Sequence, residues 1–345
     1  MARTNTNTGG GGSGVTSFNG LTGAVTISAG TNITLTPSGN DVEISSGPIY
    51  ISGTNTMYSL GAATSATGVI DSIFLGTGAG DNATSANNSI FIGVDAGDGA
   101  SSSYSSAFIG QQAGSGAINA QGSSFVGFHA GYQAIAGQYS SFIGYEAGAN
   151  TVNSQTSNFI GYQAGMGATN ANNSNFIGAG AGFEAEEAIA SSFIGSNAGK
   201  QADNANNSVF IGNSSGQNAT NGSISVFIGA QAGQNATNAA NSIFIGPAAG
   251  LGDTVDNTGG TYSILIGFNT DTGGFTDSIA LGTNATNTKT NQFLLGSTYR
   301  PTMTLDAYAD DAAAALAGLT TGDFYQTSGS GAAPLNVAGI VMIKQ

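Results

Sequence analysis

The chain has 345 residues, 56 of them Gly, and only 7% carry charge, against about 25% in ordinary soluble domains. Nineteen acidic and five basic residues give a net charge of −14, so the clustered Lys and Arg that nucleic acid or an anionic lipid surface would need are missing. There is no Cys and one His, His129; disulfides, thiol chemistry and multi-His metal sites are excluded, and Gly falls well short of the one-third, in strict triplets, of a collagen helix.

Taken in chain order, residues 1–14 (MARTNTNTGGGGSG) read as a flexible polar arm without the basic start and apolar core of a secretory signal. No window approaches the ~18 apolar residues of a membrane span, and no membrane insertion is expected. Residues 15–70 form a β-rich attachment segment. Its first part, to residue 46, alternates apolar and polar residues between Gly and Asn turns, which predicts three or four short strands.

Residues 71–300 are a repeat. Gly76, Gly93, Gly110, Gly127, Gly144, Gly161, Gly178, Gly195, Gly212, Gly229 and Gly246 follow one another at intervals of 17. Beyond them the spacing changes to 21, 15 and 14, at Gly267, Gly282 and Gly296. Two residues before each of the eleven stands a Phe: Phe74, Phe91, Phe108, Phe125, Phe142, Phe159, Phe176, Phe193, Phe210, Phe227 and Phe244. One before is Ile, Leu75 or Val126, and four before is always Ser. Three after is Ala except Ser215, four after is a second Gly, and seven after is Ala except Thr151 and Asp253.

Seventeen residues are too few for a helix hairpin with its turns and enough for one turn of a β-solenoid. Ser-x-Phe-Ile favours a short strand, and Gly supplies corners with positive φ. Each strand would then pair with its copy about 4.8 Å along the rod. Equal spacing stacks like on like, and Ala79 and Ala83 fill the interior wall facing the rings. The expected class is all-β, a parallel β-solenoid (β-roll) with 17-residue coils.

Adjacent strand residues point to opposite faces, so bulky Phe beside bulky Ile implies that both faces are buried. A thin solenoid has one interior. Another chain is therefore expected on the second face, since a long apolar stripe left in water invites aggregation. A parallel homotrimeric rod is the simplest cover; a monomer whose Phe residues pack under its own loops is the alternative.

The unit S-x-F-I-G with its Ala-Gly and Asn-rich turn resembles the head repeat of YadA-like trimeric autotransporter adhesins, a left-handed parallel β-roll. The later units Ser278-Ile-Ala-Leu-Gly282 and Ser263-Ile-Leu-Ile-Gly267 lie nearest that pattern. The resemblance spans residues 71 to about 296 and departs in the longer unit and in carrying Phe. That family also has a signal sequence, a coiled-coil stalk and a membrane anchor, none of which is legible in this sequence. The ends resemble bacteriophage tail fibres and related virion appendages, through Phe18-Asn-Gly-Leu-Thr-Gly-Ala-Val-Thr and Ala29-Gly-Thr-Asn-Ile-Thr-Leu. Residues 301–345 read as a cap or tip. Asp306 is expected to cap a short helix running to Ala317, with Gly318 as its stop, followed by a closing hairpin from Gly322-Asp-Phe-Tyr-Gln-Thr and Val337–Gln345.

Chemistry is sparse. His129 occupies a variable polar position and is expected to face solvent. Glu184, Glu186 and Glu187 lie in one turn, where a solvated cluster is the default; facing carboxylates for glycoside cleavage would have to come from adjacent chains. No phosphate loop, G-x-S-x-G elbow or calcium-binding repeat occurs, so no catalytic residue, cofactor or metal is expected. The one candidate binding surface is aromatic. Phe128, Tyr145 and Tyr162 recur at the same place in three successive coils, with Tyr104, Tyr132 and Tyr139 nearby and Gln133, Gln138 and Gln163 around them. Such a tract suits a glycan, since rings pack on sugars and amides hydrogen bond to hydroxyls; a ladder that only stiffens the rod is the competing reading.

The sequence thus implies a non-enzymatic structural fibre of a virion or the extracellular space. Its expected partners are its own copies, a virion baseplate protein through the N-terminal segment, and a cell-surface glycan or protein receptor. A self-polymerising extracellular filament with head-to-tail contacts, or a cell-surface adhesin, is the alternative.

Overall fold

The computed structural model describes the backbone of four short strands between Ser17 and Ser45, residues 62–296 apart from 64, 258 and 259, and residues 305–343 apart from 322, 329 and 331–337. The arm expected over 1–14, most of the segment up to 61, and Val337, Lys344 and Gln345 lie outside the described residues. Two compact units divide the chain, 1–296 and 297–345. Near the start, β1 (Ser17–Phe18) pairs antiparallel with β2 (Leu21–Thr22), and β3 (Thr34–Ser38) with β4 (Asp41–Ser45).

The repeat is a parallel β-solenoid. Fourteen strands, from β5 (Ile73–Leu75) to β18 (Phe293–Leu295), pair with one another strictly in sequence order. Register follows the repeat, so Phe159 lies opposite Phe142 on one side and Phe176 on the other. A second ladder of single parallel bridges climbs the rod eight residues after each corner Gly, from Thr67↔Thr84 to Thr220↔Thr237. Main-chain bonds run mostly between coils: Gly161 N donates to Ile143 O, Gly165 N to Ala181 O and Asn170 N to Val152 O, all within 2.8–2.9 Å.

Strand alternation sends Phe inward and Ile outward. All eleven repeat Phe side chains are buried. From Phe91 to Phe244 consecutive rings are stacked, with centroids 4.6–4.8 Å apart and planes within 9°. Phe74, at the first coil, is tilted by 52° to Phe91. Each ring contributes roughly 1.5–3 kcal/mol through burial. The facing wall is made of small side chains, including Ala79 and Ala83, and of a third column ten residues after the corner Gly, in which Ala120, Ala171 and Ala188 are buried. The second Gly of each unit leaves room for the ring: a Cβ at Gly165 would overlap Cδ2 of Phe159, and its φ of +65° is itself unfavourable for side chains.

The invariant Ser acts as a main-chain substitute inside the core. Ser157 Oγ accepts the N–H of Ser174 in the next coil at 3.1 Å and donates to the carbonyl of Ala171 at 2.6 Å. The same pair of bonds recurs at Ser72, Ser89, Ser106 and onward. Where strand pairing stops, the hydroxyl thus satisfies groups that would be costly to bury bare.

Asn-rich turns have a backbone cause. Each coil places non-Gly residues at φ near +50–60°, as at Gln163, Asn170 and Asn173 within one unit. Asn tolerates this left-handed conformation better than most residues, and it is the commonest residue at the positions nine and twelve after the corner Gly, as at Asn153, Asn204, Asn207, Asn238 and Asn241. Stacked amides add bonds there, as from Asn221 to Asn238 at 2.8 Å.

After β15 (Ser242–Ile245) the 21-residue interval leads to β16 (Ser263–Ile266), where Leu265 takes the place of Phe, and the next coil has Ala280 there. The ring stack ends and the core narrows. At this junction Asp253 replaces an interior Ala and is buried, the one buried carboxylate among the described residues. It accepts bonds from Val255 N at 3.0 Å, Thr272 N at 3.1 Å and Thr272 Oγ1 at 2.5 Å. Burial raises its carboxyl above the usual range, the Thr272 bonds oppose that rise, and the charge of Asp271 adds to it.

In the C-terminal unit the helix is shorter than expected. Helix α1 spans Asp311–Leu316 and is capped by Asp310, whose carboxylate accepts the N–H of Ala313 at 2.8 Å. Asp306 is not the cap, because the next two residues form β19 (Ala307–Tyr308), which pairs with β20 (Phe324–Ser328) and so commits the chain to a strand first. Gly318 follows at φ +93°. Strand β20 pairs antiparallel with β21 (Ala338–Ile343). The Tyr325 hydroxyl donates to Asp311 at 2.7 Å, and this bond, followed by desolvation, pushes its pKa up to about 12.

Two predictions arise. Ser157→Ala should cost about 1–3 kcal/mol by orphaning the Ser174 amide and the Ala171 carbonyl, with loss of hydrogen-exchange protection centred on Ser174; unchanged protection would refute the substitution role. For Asp253, a folded pKa above the unfolded value means that ionisation is penalised only in the folded chain. The penalty is full above the folded pKa and is relieved as pH falls toward the ordinary aspartate range. Wild type should therefore gain stability relative to Asp253→Asn on acidification from neutral pH, measured as the difference between their denaturation midpoints.

Candidate functional site

The outward aromatic column lies one residue after the corner Gly, two residues beyond the outer Ile of the strand. Coil stacking brings Phe128, Tyr145 and Tyr162 together: centroids are 5.0 Å apart for the first pair and 5.2 Å for the second, with planes at 14° and 10°. Tyr145 and Tyr162 are 43% and 55% exposed. His129 does not simply face solvent. Its ring is half-buried, stacked on Phe128 at 3.9 Å and on Tyr132 at 5.0 Å, and Nε2 is bonded to Gln112 Oε1 in the preceding coil. Being the same column as Gln112, the position is polar by sequence, and only the fold reveals rings on both sides. Phe128, His129, Tyr132, Tyr145 and Tyr162 thus form one continuous aromatic surface.

Tyr139 belongs elsewhere. Its ring lies over Gly122, where a Cβ would come within 2.8 Å of Cδ1, and its hydroxyl accepts from Gln121 at 3.2 Å. It makes no ring contact with the tract, because it sits on the corner before the strand rather than after it. Of the amides, Gln163 donates to Glu146 at 2.7 Å and Gln133 to the Tyr132 hydroxyl at 3.2 Å, whereas Gln138 Oε1 is buried without a partner. The Tyr145 hydroxyl is held above its ordinary pKa, first by partial desolvation and then by the charge and hydrogen bond of Glu146.

The acidic turn is also rebuilt by stacking. Glu186 is bridged in register to Asp203 of the next coil, and Glu184 accepts from Gln201 at 2.9 Å. Together with Gly167 and Ala202 these residues line an open groove. Sequence reading missed Asp203, although the 17-residue offset from Glu186 marks it. Among the described residues no group of three or more His, Asp or Glu is placed to hold a metal ion. On another part of the same column Ile118, Ile135 and Val152 form a short aliphatic patch beside Gly116, Gln133 and Asn150.

No family model matches the chain and no curated protein matches it. No helix among the described residues is long and apolar enough to cross a membrane.

The Tyr145–Glu146 pairing is testable. Glu146→Gln removes the charge and should lower the Tyr145 pKa part of the way toward 10, followed through the ring carbon shift in a tyrosine-labelled sample; no movement would place the cause in desolvation alone.

Proposed function

We propose that this chain is a structural fibre protein, the homotrimeric shaft of a virion appendage that mediates attachment to a host surface. The supporting observation is the aliphatic column on the outer face of the fourteen-stranded sheet. Leu75, Ile109, Ile143, Ile160, Ile177, Ile194 and Ile266 are each 38–53% exposed in the single chain. Two residues earlier on the strands, Ile73, Ile90 and Ile243 widen the stripe toward both ends, while Ser124, Ser141 and Asn158 narrow it in the middle.

Such a stripe is too long to leave in water. Sister chains laid parallel and in register cover it with the same aliphatic column, and their repeats keep that match along the rod. Resemblance of the units to YadA-like heads and of the ends to phage tail fibres favours the three-fold, virion-associated form, and the net charge of −14 argues against a nucleic-acid partner.

Sedimentation equilibrium of the full chain should give a trimer. Ile160→Asp combined with Ile177→Asp should dissociate it with the far-UV spectrum retained, because both side chains point away from the Phe core and each forfeits roughly 1.5–3 kcal/mol of burial at the interface. A wild-type chain that is a folded, stable monomer would overturn the proposal.

A further inference from the structure

The aromatic tract ends abruptly. Phe128 covers one side of Tyr145 and Tyr162 covers the other, but the next residue in the column is Ala179, then Ser196, both exposed. The one ring stacked on Tyr162 is Tyr145, so the opposite face of Tyr162 stands open over a small side chain. Rings within the stack offer mainly edges; this face is a flat aromatic surface at one end of the column.

A polar group borders the step. Gln163, next to Tyr162, reaches back to Glu146 of the preceding coil at 2.7 Å, on the Tyr145 side of the stack, and leaves the step to the following coil. Beside Ala179, Gly180 has no side chain, and the space is taken by Asn197 of the following coil: a Cβ on Gly180 would lie 2.5 Å from Asn197 Oδ1. A ring wall, a methyl floor and the Asn197 amide therefore border a notch about one coil high.

We propose that this notch binds a neutral pyranose unit of an oligosaccharide, stacked on the open face of Tyr162 and hydrogen-bonded by Asn197. An aromatic face suits the C–H face of a sugar ring, and side-chain amides match its hydroxyls as both donors and acceptors. Charge selects against acidic sugars, since Glu146 sits against the neighbouring Tyr145 and the chain carries −14 overall. The ligand's biological meaning rests on the attachment reading above, but the site itself lies within three successive coils of one chain and does not depend on oligomeric state.

The test uses the full chain with maltohexaose, cellohexaose and N-acetylchitohexaose as neutral probes and 3′-sialyllactose as the acidic one, followed by saturation-transfer NMR and titration. At least one neutral probe should bind, and more tightly than sialyllactose. Tyr162→Ala should weaken it by about tenfold and Tyr162→Phe by no more than about threefold, the range expected of a lost aromatic contact. The decisive variant is Ala179→Tyr, which extends the existing stack by one ring, as Tyr145 and Tyr162 already do, and covers the open face; it should abolish binding while the fold is unchanged or stabilised. Failure of all three neutral probes, preference for sialyllactose, or undiminished binding by Ala179→Tyr would overturn the site. Sedimentation of the same samples separates the two readings, because a trimer that binds no sugar sinks only the site, and a monomer that binds sugar sinks only the shaft.

Discussion

Parallel stacking of one coil on the next is the constraint from which the rest of the molecule derives. A coil cannot close most of its own hydrogen bonds; Gly161, Gly165 and Asn170 all bond to residues one unit away. Most main-chain groups must therefore find their partners at a matching place in a neighbouring unit, which disfavours insertions inside the regular stretch and holds the interval at 17. The same condition explains why identical side chains meet. A Phe opposite Phe is stacked at about 4.7 Å because the strand spacing leaves no other separation.

The core that results is asymmetric. One wall is a column of rings and the others are methyls, hydroxyls and bare glycine, so the interior is only one aromatic ring deep. That thinness makes the second Gly of each unit and the buried Ser obligatory: the first makes room for the ring, and the second supplies the bonds that a strand would have made. It also means that the sheet has just one inner face, and the Ile column is left outside. The proposed assembly is thus tied to the fold through the strand alternation of a single Phe-Ile pair.

Most variation falls in the outward columns, and this is where binding chemistry can arise without disturbing the coil. A substitution in one unit meets its counterparts one rise above and below, so ladders appear wherever two or three successive units agree. Phe128, Tyr145 and Tyr162 form one such ladder, Glu186 with Asp203 another, and Ile118, Ile135 and Val152 a third. Each ends where the neighbouring coil carries a smaller or different residue, and at the aromatic ladder that end exposes a ring face that the stack otherwise conceals.

The solenoid, its coil length, the Phe ladder and the Ala wall could all be read from spacing, because a repeat translates sequence position directly into stacking position. Helix α1 was less legible: Asp306 and Asp310 are equally good caps locally, and strand pairing of Ala307 with Gln326 decides between them. Side-chain direction across corners was not legible at all. It takes the left-handed φ values at His129 and Tyr139 to turn His129 into the aromatic tract and to send Tyr139 away from it. Periodicity settles which residues share a column, since that is a matter of counting; which columns adjoin around the coil depends on corner geometry, which is set by backbone torsions and packing that no spacing records.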